Sequence, residues 1–141
     1  MKYLLKLLES ADQIFMNQKI EENLHIAICS YLRLQHPDVI FTSESSGVRL
    51  TMGQAVKAKK MRSGSKLPDL WILEPRKDFA GLFIEIKKES PYNKSGGWKT
   101  PHIAEQAAMM RRLKDKGYMP LFIWTFEKAK LEIDSYLALS K

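Results

Sequence analysis

The stretch Pro68–Lys88 constrains the fold of this chain more than any other segment. Two short apolar runs, Leu70–Leu73 and Leu82–Ile86, flank a charged segment that contains a proline, Glu74–Asp78. Short runs rich in branched and aromatic residues are typical of β-strands, and a proline among charged residues is typical of a turn. The stretch therefore predicts an antiparallel hairpin.

Three charged side chains are predicted to meet at the open end of this hairpin. Antiparallel pairing centred on position 77, inside the turn, brings Asp69 opposite the end of the second strand that carries Glu85 and Lys87. Those two residues share one face of the strand, whereas Ile84 and Ile86 take the other face, towards a core. Converging carboxylates suit Mg²⁺ or Mn²⁺, which prefer oxygen ligands. A lysine beside them supplies a cation for a phosphate or an activated water.

A surface ion pair is a second interpretation of the same residues. Exposed Asp, Glu and Lys at strand ends often form salt bridges that contribute little to stability. A short match of this kind does not separate the two interpretations. The pairing of the hairpin and the rest of the chain decide between them.

The composition favours a polyanionic partner. The chain has 141 residues, of which 45% are hydrophobic, and this is typical of a single domain, 1–141, with its own core. There are 23 Lys and Arg against 16 Asp and Glu, and the net charge of +7 favours nucleic acid. The single cysteine, Cys29, excludes an intrachain disulfide, and no apolar run approaches the ~20 residues of a membrane span. We therefore expect a cytoplasmic protein without a membrane partner.

The remaining segments alternate between helix and strand signals. Before the hairpin the sequence predicts a short helix over residues 2–8, a helix over 11–34 capped by Ser10, a strand over 39–42, a turn over 43–47, a strand over 48–51 and a helix over 53–61. After the hairpin it predicts a mobile loop over 89–99 and a helix from Thr100 to Lys116 that Gly117 ends. A strand over 119–125, which is apolar throughout and therefore expected in the interior of the sheet, and a helix over 126–139 complete the chain. These elements predict an α/β fold with a mixed four-stranded sheet flanked by helices on both faces, in αβββαβ order plus a C-terminal helix.

Basic side chains around the hairpin are candidates for phosphate contacts. They precede it or lie on the following helix: Lys57, Lys59, Lys60, Arg62, Lys66, Arg111 and Arg112. A basic segment rich in Gly and Ser that leads into a carboxylate site is suited to binding phosphates. An ordinary solvated loop has the same composition, so both interpretations stay open.

Two glutamates and a histidine on the N-terminal helix lie near its apolar stripe. Glu21 borders the stripe, and Glu22 lies one step further round the helix. A solvated helix face is the alternative interpretation for either glutamate. We interpret His25 as a helix-surface histidine rather than a ligand.

Several motifs occur together in this chain. They are Pro68-Asp69-Leu70, the strand Phe83–Lys87, Glu105-Gln106 on the next helix, Lys116-Gly117-Tyr118 before the last strand, and the helical segment Glu21–Ile28. This set resembles the PD-(D/E)XK nuclease superfamily, and in particular small stand-alone phage-type members of its VRR-NUC branch. The resemblance covers roughly residues 18–130. The chain departs from the pattern at His25, where the pattern has glutamine, and at Gly64, which is separated from Pro68.

The resemblance implies a core like that of the PD-(D/E)XK nucleases and divalent-metal-dependent hydrolysis of phosphodiester bonds in DNA. It implies that Asp69, Glu85 and the backbone carbonyl of Ile86 bind Mg²⁺ or Mn²⁺. It also implies that Glu21 completes the site through water or a second metal. Gln106 would orient Lys87 or the phosphate.

Stand-alone members of this branch resemble Holliday-junction-resolving enzymes. The resemblance therefore implies branched or junction DNA as a partner, a homodimer and, for a phage-encoded protein, the cytoplasm of the host cell. The interpretation that competes with an endonuclease is a non-catalytic nucleic-acid-binding module that retains the nuclease fold. The complete set of Asp69, Glu85 and Lys87 favours the enzyme. A structural or inhibitory partner protein would leave the converging acids and the +7 charge unexplained.

Overall fold

The computed structural model describes residues 1–44 and 50–141, without the side chains of residues 11, 14 and 15. In chain order its elements are α1 (Lys2–Gln35), β1 (Phe41–Ser43), α2 (Met52–Lys60), β2 (Leu70–Ile72), β3 (Leu82–Ile86), α3 (Pro101–Asp115), β4 (Met119–Ile123) and α4 (Phe126–Leu137). The turn predicted over 43–47 and the strand predicted over 48–51 fall largely outside the described residues. Thr51, at the end of that predicted strand, is the N-cap of α2 instead.

A mixed four-stranded sheet forms the centre of the fold and confirms the predicted architecture. The strand order is β1-β2-β3-β4, with antiparallel pairing except between β3 and β4, which are parallel. Leu70 pairs with Ile84 and Ile72 pairs with Leu82, so the hairpin is centred on position 77 as predicted. Lys77 occupies that turn with a φ of 51°, in the left-handed region that non-glycine residues rarely adopt.

The turn of the hairpin is fastened to α4. The buried side chain of Arg76 donates to the Glu74 carboxylate at 2.6 Å and to the Leu137 carbonyl at 3.2 Å. The Tyr136 hydroxyl donates to the Glu74 carbonyl at 2.7 Å. These bonds hold the turn in place, and with it the pairing at the open end of the hairpin.

Helices cover both faces of the sheet, as predicted. On one face α1 and α4 bury Ile28 and Tyr136 against the inward side chains of β2 and β3. On the other face α3 packs Met109 and Leu113 against Phe83. Thr100 caps α3 by accepting from the backbone N–H of Ile103 at 3.1 Å, and the helix ends before a left-handed glycine, as the sequence predicts.

The strand β4 lies at an edge of the sheet, and the prediction that it is interior is wrong. Its apolar sequence is explained by the helices that cover it. Leu121 packs with the core under α1 and α4, while Phe122 packs against α3 on the opposite face. Pro120 fits an edge position, because proline has no N–H for a further strand to accept.

The helix α1 is continuous, and the predicted break at Ser10 is wrong. Neither Gly nor Pro occurs between Lys2 and Gln35, and one serine costs less inside a helix than interrupting its hydrogen bonds would. The helix ends at His36, before Pro37, as predicted. No helix within the described ranges has the length and apolar character needed to cross a membrane.

Candidate active site

The hairpin brings Asp69 and Glu85 together. Leu70 pairs with Ile84, so the next step of the same pairing sets Asp69 against Glu85. An oxygen of the Asp69 carboxylate accepts a hydrogen bond from the backbone N–H of Ile86 at 2.8 Å. This bond aims the aspartate across the end of β3, and the Glu85 carboxylate next to it is buried.

The carbonyl of Ile86 faces the same side as its N–H. The backbone of Lys87 points the other way, because its N–H donates to the Ile123 carbonyl of β4 at 2.9 Å. Successive residues of a strand point their backbone N–H and C=O groups to opposite sides. The Ile86 carbonyl therefore turns towards β2 and Asp69. The residue opposite it is Pro68, which has no N–H to donate. Within residues 1–44 and 50–141 this carbonyl oxygen therefore lies beside the two carboxylates with no strand N–H opposite it.

Burial and the neighbouring Asp69 charge disfavour the ionised form of Glu85. Burial raises the pKa of Glu85 to about 9, with the negative charge of Asp69 as the second cause. Lys87 and Lys66 lower this pKa without cancelling the rise. Without a cation the pair therefore retains a proton at neutral pH. A site that holds a proton for this reason is suited to a divalent cation, which would keep both carboxylates ionised.

Gln106 links the lysine to the glutamate. The Lys87 ammonium donates to the side-chain oxygen of Gln106 at 3.1 Å. The amide nitrogen of Gln106 donates to the Glu85 carboxylate at 2.7 Å. An ammonium can only donate, so the oxygen of the Gln106 amide must face Lys87 and its nitrogen must face Glu85. The first turns of α3 thereby hold Lys87 next to the carboxylates.

α1 contributes a third carboxylate, that of Glu21. Burial raises the pKa of Glu21, and the Lys87 charge opposes this rise while the Asp69 charge adds to it. The backbone N–H of Lys88 donates a hydrogen bond to the same carboxylate. Glu22, the alternative left open by the sequence, is exposed. The structure thus brings Glu21 to the end of β3 and leaves Glu22 in solvent.

His25 lies beside the site and is less exposed than a fully solvated helix position. It is half-buried, and its Nε2 atom lies 2.8 Å from the hydroxyl of Ser43 on β1. Burial lowers its pKa, and the Asp69 charge acts in the opposite direction. A signal for this position was available, because His25 follows Glu21 by one helical turn and so shares its face.

A groove of about 200 Å³ opens next to Glu85. The candidate phosphate contacts Arg62 and Lys66 line it, together with Gln106. His102 and Glu105 also line it, and the sequence named neither of them as a site residue. Of the other basic candidates, Arg111 lines a second cavity on the β4 side of α3. The remaining four are exposed and line neither cavity: Lys57, Lys59, Lys60 and Arg112.

The described residues contain no group of three or more His, Cys, Asp or Glu side chains arranged closely enough to hold a metal ion. The donors that do converge are the carboxylates of Asp69 and Glu85 and the carbonyl of Ile86. These are hard oxygen donors, so their chemistry fits Mg²⁺ or Mn²⁺, which complete their coordination with water. Glu21 lies close enough to influence this set through its charge or through such a water.

Comparison with solved structures gives a structural likeness, whereas two other comparisons find none. No protein-family model matches this chain, and no curated protein matches it. A solved structure described as "VRR_NUC domain protein" superposes with a TM-score of 0.48 at 29% sequence identity. The match covers 62% of this chain and 65% of that protein, so it spans less than two thirds of the length of either.

Proposed function

We propose that this protein is a divalent-metal-dependent nuclease that hydrolyses phosphodiester bonds in DNA. The observation that supports it best is the junction of Asp69, Glu85 and Lys87, with Gln106 bonded to both the glutamate and the lysine. A surface ion pair would not need a buried glutamate or a glutamine held between two charges. The resemblance of these motifs to the VRR-NUC branch agrees with this proposal.

The donors proposed for Mg²⁺ or Mn²⁺ are Asp69, Glu85 and the Ile86 carbonyl, with Glu21 acting through water or a second metal. The bound ion would supply a water of lowered pKa and would neutralise charge on the phosphate. The protein's part is to aim these oxygens. The Ile86 N–H fixes the aspartate, and the first turns of α3 fix the glutamate through Gln106.

Lys87 is proposed to stabilise negative charge as the reaction proceeds. The attacking water must lose a proton while charge grows on the phosphoryl oxygens, and a fixed ammonium next to them lowers the energy of both changes. The hydrogen bond to Gln106 holds that ammonium in one position, so little reorganisation is needed during the reaction. Gln106 is therefore proposed as the residue that positions Lys87.

DNA is the proposed substrate because the charge of the molecule and of the groove favours a polyanion. The net charge is +7, and Arg62 and Lys66 line the groove beside Glu85. Branched or junction DNA and a homodimer, which would carry two sites for two strands, extend this proposal on the basis of the sequence resemblance.

A plasmid-nicking assay with Mg²⁺ or Mn²⁺ tests the proposal. We expect nicking that requires the divalent ion and that Asp69→Asn abolishes, since asparagine can still accept from the Ile86 N–H but loses the charge that binds the metal. Asp78→Asn is the matched control, because Asp78 is an exposed aspartate in the hairpin turn. Calorimetry should show divalent binding that the first variant loses and the second keeps. Metal-independent DNA binding without any cleavage would instead support a non-catalytic binding module.

A further inference from the structure

A second cavity, of about 250 Å³, lies on the β4 side of α3. In the parallel pairing of β3 with β4, Glu85 stands beside Phe122. The bond from the Lys87 N–H to the Ile123 carbonyl continues this pairing, so Lys87 stands beside Trp124. Alternate residues of a strand share a face, which sets Phe122 and Trp124 on the same face of the sheet as Glu85 and Lys87. The cavity, which both aromatic residues line, therefore adjoins the candidate active site.

Aromatic rings form much of the wall of this cavity. Trp98 stacks on Tyr92 with ring centroids 5.1 Å apart and an interplanar angle of 23°. Trp98 also packs against Phe122, with centroids 5.5 Å apart. Tyr92 is 45% exposed, and Trp98 and Trp124 are half-buried, so ring surface remains available to a ligand. Ring faces of this kind stack on nucleobases without regard to sequence.

Two cations stand at the same cavity. Arg111 lines it from α3 and is exposed, and within residues 1–44 and 50–141 no acidic side chain forms an ion pair with it. The Lys128 ammonium lies 5.0 Å from the centroid of the Trp124 ring and 3.7 Å from the Glu132 carboxylate. A cation beside an aromatic ring suits a ligand that is flat at one end and anionic at the other. The volume lies just below the ~300 Å³ at which pockets for drug-sized molecules begin, so it suits a single ring system.

We propose that this cavity binds an unpaired nucleobase of the DNA strand whose neighbouring phosphate lies at Asp69, Glu85 and Lys87. Arg111 and Lys128 would contact the backbone of the same strand. In a duplex the faces of each base are covered by its neighbours, so only a single-stranded or splayed nucleotide can offer one to the aromatic wall. The inference rests on the proposed nuclease function and adds a substrate class to it, DNA with an unpaired nucleotide next to the cleaved bond.

Binding of labelled DNA, measured by fluorescence anisotropy in EDTA, tests this inference. Trp124→Leu fills much of the same space but lacks an aromatic face, and Trp124→Phe keeps one. We expect the leucine variant to bind a single-stranded thymidine oligonucleotide about tenfold more weakly than wild type, a typical loss for one stacked base. Its affinity for a duplex of equal length should stay within about twofold, and the phenylalanine variant should resemble wild type. Tyr3→Leu removes an exposed aromatic at the start of α1 and is the matched control.

Loss of affinity for both DNAs in equal measure, or for neither, would overturn the inference. If Trp124→Leu keeps the DNA affinity of the wild type but changes the mass measured by light scattering, the inference is also overturned. The cavity would then be an interface between copies of the chain. If the wild-type protein nicks DNA in a metal-dependent way but Trp124→Leu does not weaken binding of single strands selectively, the nucleobase site is wrong and the nuclease function stands. If Trp124→Leu weakens binding of single strands selectively but the wild-type protein cleaves no DNA in Mg²⁺ or Mn²⁺, the nuclease function is wrong and the nucleobase site stands.

Discussion

The raised pKa of Glu85 predicts that the candidate active site destabilises the metal-free protein as the pH rises. Burial and the Asp69 charge raise this pKa from 4.5 to about 9. Between these two values the folded protein keeps a proton that the unfolded chain has released. The unfolded state then binds fewer protons than the native state, so the free energy of unfolding falls as the pH rises through this window.

Glu85→Gln removes this titration while keeping the size of the side chain and an oxygen that can accept from Gln106. One pKa unit corresponds to about 1.4 kcal/mol. Between pH 5 and pH 8 the wild-type protein should therefore lose at most about 4 kcal/mol through this group, and the variant should not. We expect similar stabilities at pH 5 and a more stable variant at pH 8.

Urea unfolding followed by circular dichroism, in EDTA at both pH values, measures this difference. Adding Mn²⁺ or Mg²⁺ should stabilise the wild type and leave Glu85→Gln unchanged, so the residue that costs stability is also the one that binds the ion. Glu105→Gln, at an exposed position of the same groove, is the control and should follow the wild type. Parallel stability curves for wild type and Glu85→Gln across this range would refute the reasoning.

Further predictions concern catalysis, acid stability and assembly. Lys87→Ala should lower the single-turnover cleavage rate by about 10²-fold or more and change DNA affinity in Ca²⁺ little; equal losses of both would contradict a catalytic role. Glu21→Ala should slow cleavage, by less than loss of Asp69 does, and Glu22→Ala should not; the reverse result would mean that the wrong helix carboxylate has been assigned. A hydrogen bond from Tyr31 lowers the pKa of Asp134 below its ordinary 3.8, so this carboxylate stabilises the fold above that value and loses its effect as the pH falls further. Thermal unfolding should accordingly show less acid sensitivity in a variant with Asn at this position than in wild type. Light scattering at micromolar concentration should give the mass of a dimer. A monomer with full activity would show that dimerisation is not needed for activity.

The pairing at the candidate site could be predicted from sequence because the hairpin is short and its turn is well marked. Charges and proline locate the turn, and the alternation of side chains then fixes which residues face each other. Asp69 and Glu85 follow from this pairing alone. The link from Glu85 through Gln106 to Lys87 does not, since no local pattern connects a helix to a strand; the role of this glutamine came from resemblance to a family.

The error at β4 has a definite physical cause. An apolar strand reveals that both of its faces are covered, but it does not reveal whether helices or further strands flank it, and β4 is covered by helices at an edge. The partial burial of His25 is a feature that residue type does not predict, although its spacing from Glu21 sets both residues on one face of α1. Burial depends on what packs against that face, here β1 through Ser43, and the helix sequence alone does not contain this information.

The proline in β4 has a consequence for aggregation. The Met119 N–H donates to the Gly81 carbonyl, so the backbone of Met119 points towards β3, and that of its neighbour Pro120 points outwards. Proline offers no N–H there, which leaves Phe122 as the one residue of β4 with an outward donor. An extended segment from another molecule could not form a continuous ladder along this edge. Intermolecular sheet growth at β4 is thus disfavoured, and two copies of the chain would associate more readily through helices or loops.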